Sequence, residues 1–205
     1  TGAEFANITR VKTSDEDGST AGADIITSAG GTNVILGGLG THQVGGAELG
    51  GDIRDTGRVG SNIILGDNGE VNLNNLDEGD SNDVSTSEIH LGDDDVIVTG
   101  SGTNTILGGG GADLISLLDG ENTVLGDNGV VERGPAEQIA VVRTTDESNL
   151  TAGADVIDVG AGTNMILGGL AIGADGFGDR ISTDGGDNII LGDNGVVNVG
   201  GTIAT

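Results

Sequence analysis

The chain has no cysteine, tryptophan or tyrosine, and only one proline and two phenylalanines. Lack of cysteine excludes disulfides and thiolate metal sites, and it leaves the compartment unassigned. With so few aromatic rings, 205 residues cannot build an ordinary globular core, and almost no ring is present for a sugar to stack on. Basic residues are scarce too: seven Lys and Arg stand against 33 Asp and Glu, a formal charge of −26. That balance excludes a nucleic-acid footprint and disfavours anionic lipid surfaces. No apolar run approaches the roughly 18 residues of a membrane span, and the opening TGAEFANITR has no basic segment leading into an apolar one. Catalytic signatures are missing as well. There is no G-x-S-x-G elbow, Walker loop, zinc-protease helix or dinucleotide fingerprint, and the two histidines, His42 and His90, lie far apart. The expectation is a chain that is not an enzyme, binds no nucleic acid, does not insert into a membrane, and takes cations as partners.

What the chain has is glycine, 42 residues of it, set in a repeat. Asp95, Asn104, Asp113 and Asn122 fall nine residues apart, and Ile97, Ile106, Ile115 and Val124 each follow by two. The register returns at Asp155 and Asn164, then at Asp179 and Asn188, with Ile157, Ile166, Ile181 and Ile190 at the apolar position. In the first third, Asp24 and Asn33 carry Ile26 and Ile35, Asn62 carries Ile64, and Asp52 fills the remaining place one residue out of register.

A larger period of roughly 60 to 70 residues encloses this small one, in three tandem blocks of approximately 8–73, 84–132 and 138–199. Each block ends on ILGDNG or VLGDNG, and the joining segments NITRVKTSDEDGS and QIAVVRTTDESNL both read as a strand followed by an acidic turn. A chain that starts and stops inside such a connector is expected to be a slice of a longer array.

Glycine clusters permit tight turns and close backbone approach, while the aliphatic residues after each Asp or Asn form a short strand. A nine-residue half-coil cannot bury its one Ile alone, whereas stacked half-coils line the isoleucines up in an interior column. The predicted fold is all-β, a single continuous parallel β-roll or β-solenoid over 1–205 with two short parallel sheets back to back. If the Ile points inward, the next residue points outward. It is leucine in every Asn half-coil: Leu36, Leu65, Leu107, Leu125, Leu167 and Leu191. Such a stripe predicts a lateral contact, made either with a neighbouring chain or with the connectors of this one.

One Ile and one Leu per half-coil compensate poorly for ordering a glycine-rich backbone, and acids stacked at strand spacing repel each other. A cation between the turns would remove that repulsion. Hard carboxylate and carbonyl oxygens suit Ca²⁺, which takes six to eight oxygen ligands in flexible geometry, better than Mg²⁺.

The stretch GGGGADLIS, from Gly108 to Ser116, fits the nonapeptide G-G-x-G-x-D-x-U-x, and with the repeated register the chain resembles the repeats-in-toxin, or hemolysin-type, calcium-binding β-roll family. The resemblance implies several Ca²⁺ ions, held by the aspartates at Asp24, Asp95, Asp113, Asp155 and Asp179 with carbonyls of glycines such as Gly22, Gly108, Gly109, Gly111 and Gly153. It also implies folding on extracellular calcium after secretion. Two features depart from the family pattern. Alternate half-coils carry Asn for Asp, which favours a hydrogen-bonded Asn ladder over ligation. The GDNG turns admit two readings, an ion-binding carboxylate at Asp67, Asp127 and Asp193 or a type I′ turn into the next strand.

The function expected is therefore a calcium-dependent structural module of a large secreted adhesin, surface-layer or filament protein, extracellular or at the cell surface, touching neighbouring repeats or further copies of itself. Two alternatives stand beside it. One is an ice-binding roll presenting Thr32, Thr103 and Thr163, although Ser61, Glu121 and Asp187 interrupt that row. The other is a noncatalytic secretion or folding module of an extracellular enzyme.

Overall fold

The computed structural model describes residues 8–14, 22–28, 31–40, 52–55, 59–73, 83–134, 138–146, 152–171 and 178–200. The acidic run Asp15–Asp17, His42 and most of the insertion after Gly40 lie outside the described residues. The described chain is all-β, with its strands in three six-stranded sheets.

The strands are β1 (Arg10–Lys12), β2 (Ile26–Ser28), β3 (Gly31–Leu36), β4 (Asp52–Asp55), β5 (Val59–Leu65), β6 (Gly69–Asn72), β7 (Val84–Thr86), β8 (Val96–Thr99) and β9 (Ser101–Gly109). They continue as β10 (Leu114–Leu117), β11 (Gly120–Asp127), β12 (Gly129–Arg133), β13 (Ile139–Thr144), β14 (Val156–Val159), β15 (Gly162–Leu167), β16 (Arg180–Thr183), β17 (Gly186–Leu191) and β18 (Val196–Asn198).

An outer parallel sheet runs β2-β4-β8-β10-β14-β16 and a central parallel sheet runs β3-β5-β9-β11-β15-β17, both in chain order. Each outer strand and the central strand after it make one rung, giving six rungs from β2–β3 to β16–β17. Parallel pairing places like residues side by side. Ile53, Ile97, Ile115, Ile157 and Ile181 share one row, and Gly, Asn and Leu of the Asn half-coils share three others. Asp52 pairs with Val96, one place beyond the aspartate row, and so lies out of register with Asp95.

Alternation along the central strands sends Ile64, Ile106, Val124 and Ile166 toward the outer sheet, where they close a core with Ile97, Ile115 and Ile157. Each fully buried aliphatic side chain contributes about 1.5–3 kcal/mol. The leucines point the other way, and here the expectation of two sheets back to back needs correction. A third sheet, antiparallel and ordered β1-β6-β7-β12-β13-β18, covers that face. Its strands are the connectors and the segments that follow the GDNG turns. Val11, Val71, Val84, Val131, Val142 and Val197 form its inward row. They pack on Leu36, Leu65, Leu107, Leu125, Leu167 and Leu191 in a second core. The leucine stripe is thus covered by this chain's own connectors. The central sheet, buried on both faces, reads as a near-continuous run of buried residues, as Asn104 to Gly110 shows.

Four of the seven basic residues, Arg10, Lys12, Arg133 and Arg143, sit on the antiparallel sheet. Arg10 pairs with Glu70 there, and Arg143 with Glu132 at 3.6 Å. Most of the basic residues therefore stand on the cover, while Arg180 follows Asp179 at the start of β16, beside the acidic edge.

Candidate metal centre

The chain enters the outer strands β8, β10, β14 and β16 directly after an aspartate, Asp95, Asp113, Asp155 and Asp179. At this edge the aspartates stack. The backbone N–H of Asp95 donates to Asp113 Oδ1 at 2.7 Å, that of Asp113 to Asp155 Oδ1 at 2.8 Å, and that of Asp155 to Asp179 Oδ1 at 3.0 Å. One oxygen of each acceptor is satisfied in this way. The other, Oδ2 of Asp113, Asp155 and Asp179, is buried and has no hydrogen-bond partner.

Each of these oxygens faces a backbone carbonyl across a glycine. A β-carbon placed on Gly108 would lie 2.1 Å from both Asp113 Oδ2 and Gly126 O. On Gly126 it would lie 2.0 Å from Asp155 Oδ2 and 2.4 Å from Gly168 O, and on Gly168 2.2 Å from Asp179 Oδ2 and 2.8 Å from Gly192 O. Glycine is required at these places, and what it leaves is an acceptor facing an acceptor. The carboxylate oxygen of such a pair lacks a donor, which a proton, a water molecule or a cation would supply.

The GDNG turns bring a second set of acids to the same edge. Asp67 Oδ2 accepts from the Gly110 N–H at 2.7 Å, while its Oδ1 is buried without a partner. Asp127 Oδ1 accepts from the Gly153 N–H at 3.4 Å, and its Oδ2 is the unpartnered atom. A β-carbon on Gly109 would lie 2.4 Å from Asp67 Oδ2, and one on Gly169 2.3 Å from Asp127 Oδ2, so each carboxylate rests on a glycine of the following rung. The type I′ reading of these turns fails. Both central residues of such a turn have positive φ, yet Asp67, Asn68 and Gly69 do not, nor do Asp127, Asn128 and Gly129. The chain here passes from the central sheet into the antiparallel sheet instead of reversing within one sheet.

Electrostatics follow from this geometry. Burial pushes the Asp113 carboxyl well above the usual carboxylate range, and Asp155, Asp95 and Asp67 add to the effect. Burial likewise raises Asp155, with Asp179 and Asp146 contributing, although the Asp113 N–H opposes it. Asp67 is pushed up to about 9 by burial and then by Asp95. Asp127 also reaches about 9, by burial and then by Asp155 and Asp146. Asp179 is raised chiefly by burial.

The structure thus gathers Asp95, Asp113, Asp155 and Asp179 in one column, with Gly108, Gly109 and Asp67 against it. Gly111 and Gly153 stack in the neighbouring turns, where a β-carbon on Gly153 would lie 2.1 Å from Gly111 O. Asp24, Gly22 and Asp193, on the end rungs, are exposed. Four participants were not singled out from the sequence: the carbonyls of Gly126, Gly168 and Gly192, and Asp146, which accepts from the Asn128 N–H at 3.0 Å and from Asn128 Nδ2 at 3.1 Å. The repetition of ILGG and ILGD was the available signal for the carbonyls. Among the described residues no group of three His, Cys, Asp or Glu side chains converges on one point.

The asparagines behave differently. Asn33, Asn62, Asn104, Asn122, Asn164 and Asn188 form one ladder, each Nδ2 donating to the next Oδ1 at 2.8–2.9 Å. Beside it, Thr32, Ser61, Thr103, Glu121, Thr163 and Asp187 share a row in which two charges break the threonines. Comparison with protein-family models, curated proteins and solved structures found no match for the chain.

Proposed function

We propose that this chain is a calcium-stabilised parallel β-roll of the repeats-in-toxin kind, acting as a structural module of a large secreted or cell-surface protein such as an adhesin, surface layer or filament. The observation that carries the reading is the row of buried carboxylate oxygens without donors, each facing a backbone carbonyl of its own rung over a glycine of the preceding one. Asp113, Asp155 and Asp179 would hold the ions together with the carbonyls of Gly126, Gly168 and Gly192. Asp95 and Asp24 continue the column, and Asp67 and Asp127 add charge from the flank. Bound calcium supplies positive charge and accepts six to eight oxygen ligands at about 2.3–2.6 Å. The chain's own part is to offer acceptors only, at a spacing fixed by strand pairing, so that folding and ion binding are one event.

Calcium-free chain at neutral pH is then expected to lose its β-sheet circular dichroism signal and to regain it on titration with calcium, but not with magnesium at the same concentration. A spectrum unchanged in excess chelator at neutral pH removes the proposal.

A further inference from the structure

The GDNG turns between the central and the antiparallel sheet contain an Asn-Gly pair, Asn68-Gly69 in one block and Asn128-Gly129 in the next. Asparagine is a thermolabile residue, and a glycine after it has no β-carbon to shield the side-chain Cγ from the following backbone nitrogen. The fold nevertheless requires the pair. A β-carbon on Gly129 would lie 2.1 Å from Leu125 Cδ2 and 2.6 Å from Arg143 O, and one on Gly69 2.1 Å from Leu65 Cδ2 and 2.4 Å from Ser85 O. Glycine stands there because the second core and its cover close on it. Asn128 is as firmly bound to its place. It is buried, and its N–H and Nδ2 donate to the two carboxylate oxygens of Asp146 at 3.0 and 3.1 Å. An aspartate there would supply only the first of these donors. The same contacts restrain the groups that could react. The Gly129 N–H donates to Thr86 Oγ1 at 3.0 Å and the Gly69 N–H to Thr13 Oγ1 at 2.9 Å, so the attacking nitrogen is fixed in a strand with its proton engaged, while Asp146 holds the Asn128 amide.

We infer that Asn128-Gly129 is a self-modification site which the fold keeps closed and which opens when this region unfolds, so that unfolding becomes permanent. In the open chain the Gly129 N–H gives its proton to water or hydroxide, and the nitrogen attacks Asn128 Cγ. The Cγ–Nδ2 bond breaks, and Nδ2 leaves as ammonia with a proton taken from solvent. Water then opens the cyclic imide. Attack at Cγ leaves aspartate on the ordinary backbone, and attack at the backbone carbonyl of residue 128 leaves isoaspartate, whose main chain runs through Cβ and Cγ. Aspartate sets a carboxylate oxygen against Asp146 in a buried place, an acceptor pressed on an acceptor. Isoaspartate lengthens the main chain between β11 and β12, each of which pairs with a neighbour on both sides. Neither product rebuilds the turn, and an unfolded chain modified in this way is lost to refolding. Any agent that opens the fold starts the conversion, so the inference does not rest on calcium.

The test is mass spectrometry of proteolytic fragments of the 205-residue chain, read for conversion at Asn128 and Asn68 after incubation at mildly alkaline pH in calcium, in excess chelator, and in calcium with urea. Circular dichroism records the fold in every sample. Conversion at Asn128 is expected to be at least about tenfold faster in urea than in the folded chain. A chelated chain that unfolds is expected to convert as in urea. One that stays folded and unconverted supports this inference while removing the calcium reading, so the two fail separately. Thr86→Val frees the Gly129 N–H and Asp146→Ala frees the Asn128 amide, and in samples that circular dichroism shows to be folded, each is expected to speed conversion at Asn128 several-fold. Asn68, followed by a Gly69 N–H that Thr13 holds, is expected to keep its rate; a fold that is only loosened speeds both sites. Equal conversion of Asn128 in folded and urea-unfolded chain, no acceleration of Asn128 over Asn68 in the folded variants, or converted chain that regains its spectrum in calcium as fully as unconverted chain overturns the inference.

Discussion

Two columns of polar side chains run through the rungs, asparagines along the central sheet and aspartates where the chain enters the outer sheet. Both are buried in the middle rungs, and both are stacked by N–H···O bonds at nearly the same distance. They differ by one group per residue. An amide is donor and acceptor at once, so the asparagine ladder satisfies itself from Asn33 to Asn188. An ionised carboxylate only accepts, so the aspartate column borrows its donors from the backbone and leaves Oδ2 of Asp113, Asp155 and Asp179 against further acceptors. Identical stacking thus yields a self-contained element on one side and, on the other, one that depends on what the solution supplies.

The largest expected effect separates the columns by pH in the absence of divalent metal. Asp67 and Asp127 rise from 3.8 to about 9 on folding. A carboxyl raised in this way favours the fold fully below its unfolded pKa, and that contribution disappears as pH climbs toward the folded value. Between pH 3.8 and about 9, each of these two groups therefore removes about 1.4 kcal/mol of stability per pH unit. In chelator the chain is expected to be folded near pH 3.5 and unfolded at neutral pH, with calcium abolishing the difference. Circular dichroism across pH checks this, and a chelated chain no more folded in acid than at neutrality breaks the comparison.

Next in size is a change that makes one column resemble the other. Asn104 donates to Asn122 Oδ1 at 2.8 Å and accepts from Asn62 at 2.8 Å in a buried setting. Asn104→Asp removes the donor and leaves a buried charge facing an acceptor. A loss of about 3–5 kcal/mol is expected at neutral pH, shrinking in acid, by chemical denaturation in calcium. A loss that calcium titration fully restores would mean the amide column also takes metal.

These contrasts were legible in the sequence to different depths. Parallel pairing sets like positions beside each other, so a nine-residue register translates directly into columns. The isoleucine row, the outward leucines and the aspartate edge could all be read that way. The antiparallel sheet could not. Each of its strands gives one valine to the second core, too little to show a period, and its pairs such as β7 with β12 join positions that no nonapeptide relates. For the same reason the sequence left open whether another chain or the connectors cover Leu107 and Leu125. The GDNG turns misled because Asn-Gly suggests a hairpin, whereas a change of sheet needs no left-handed residue. Asp146 was hidden in an acidic connector that reads as solvated charge, and its role came only from the Asn128 groups it grips.

The smallest effect sharpens the comparison within the acids themselves. Asp127 and Asp193 occupy the same turn of successive blocks, yet Asp127 is buried under the following rung and Asp193 is exposed on the last one. If burial between acceptors creates the dependence on cations, the two cannot behave alike in a dilute chain. Asp193→Asn is expected to change stability by no more than about 0.5 kcal/mol at any pH. Asp127→Asn is expected to flatten the metal-free pH dependence by about 1.4 kcal/mol per unit, because one raised carboxyl no longer titrates. Denaturant titrations in metal-free buffer at several acidic pH values, where the chain is folded, measure both slopes. Equal slopes for the two variants would shift the cause from the stacking of rungs to the charge of the chain as a whole.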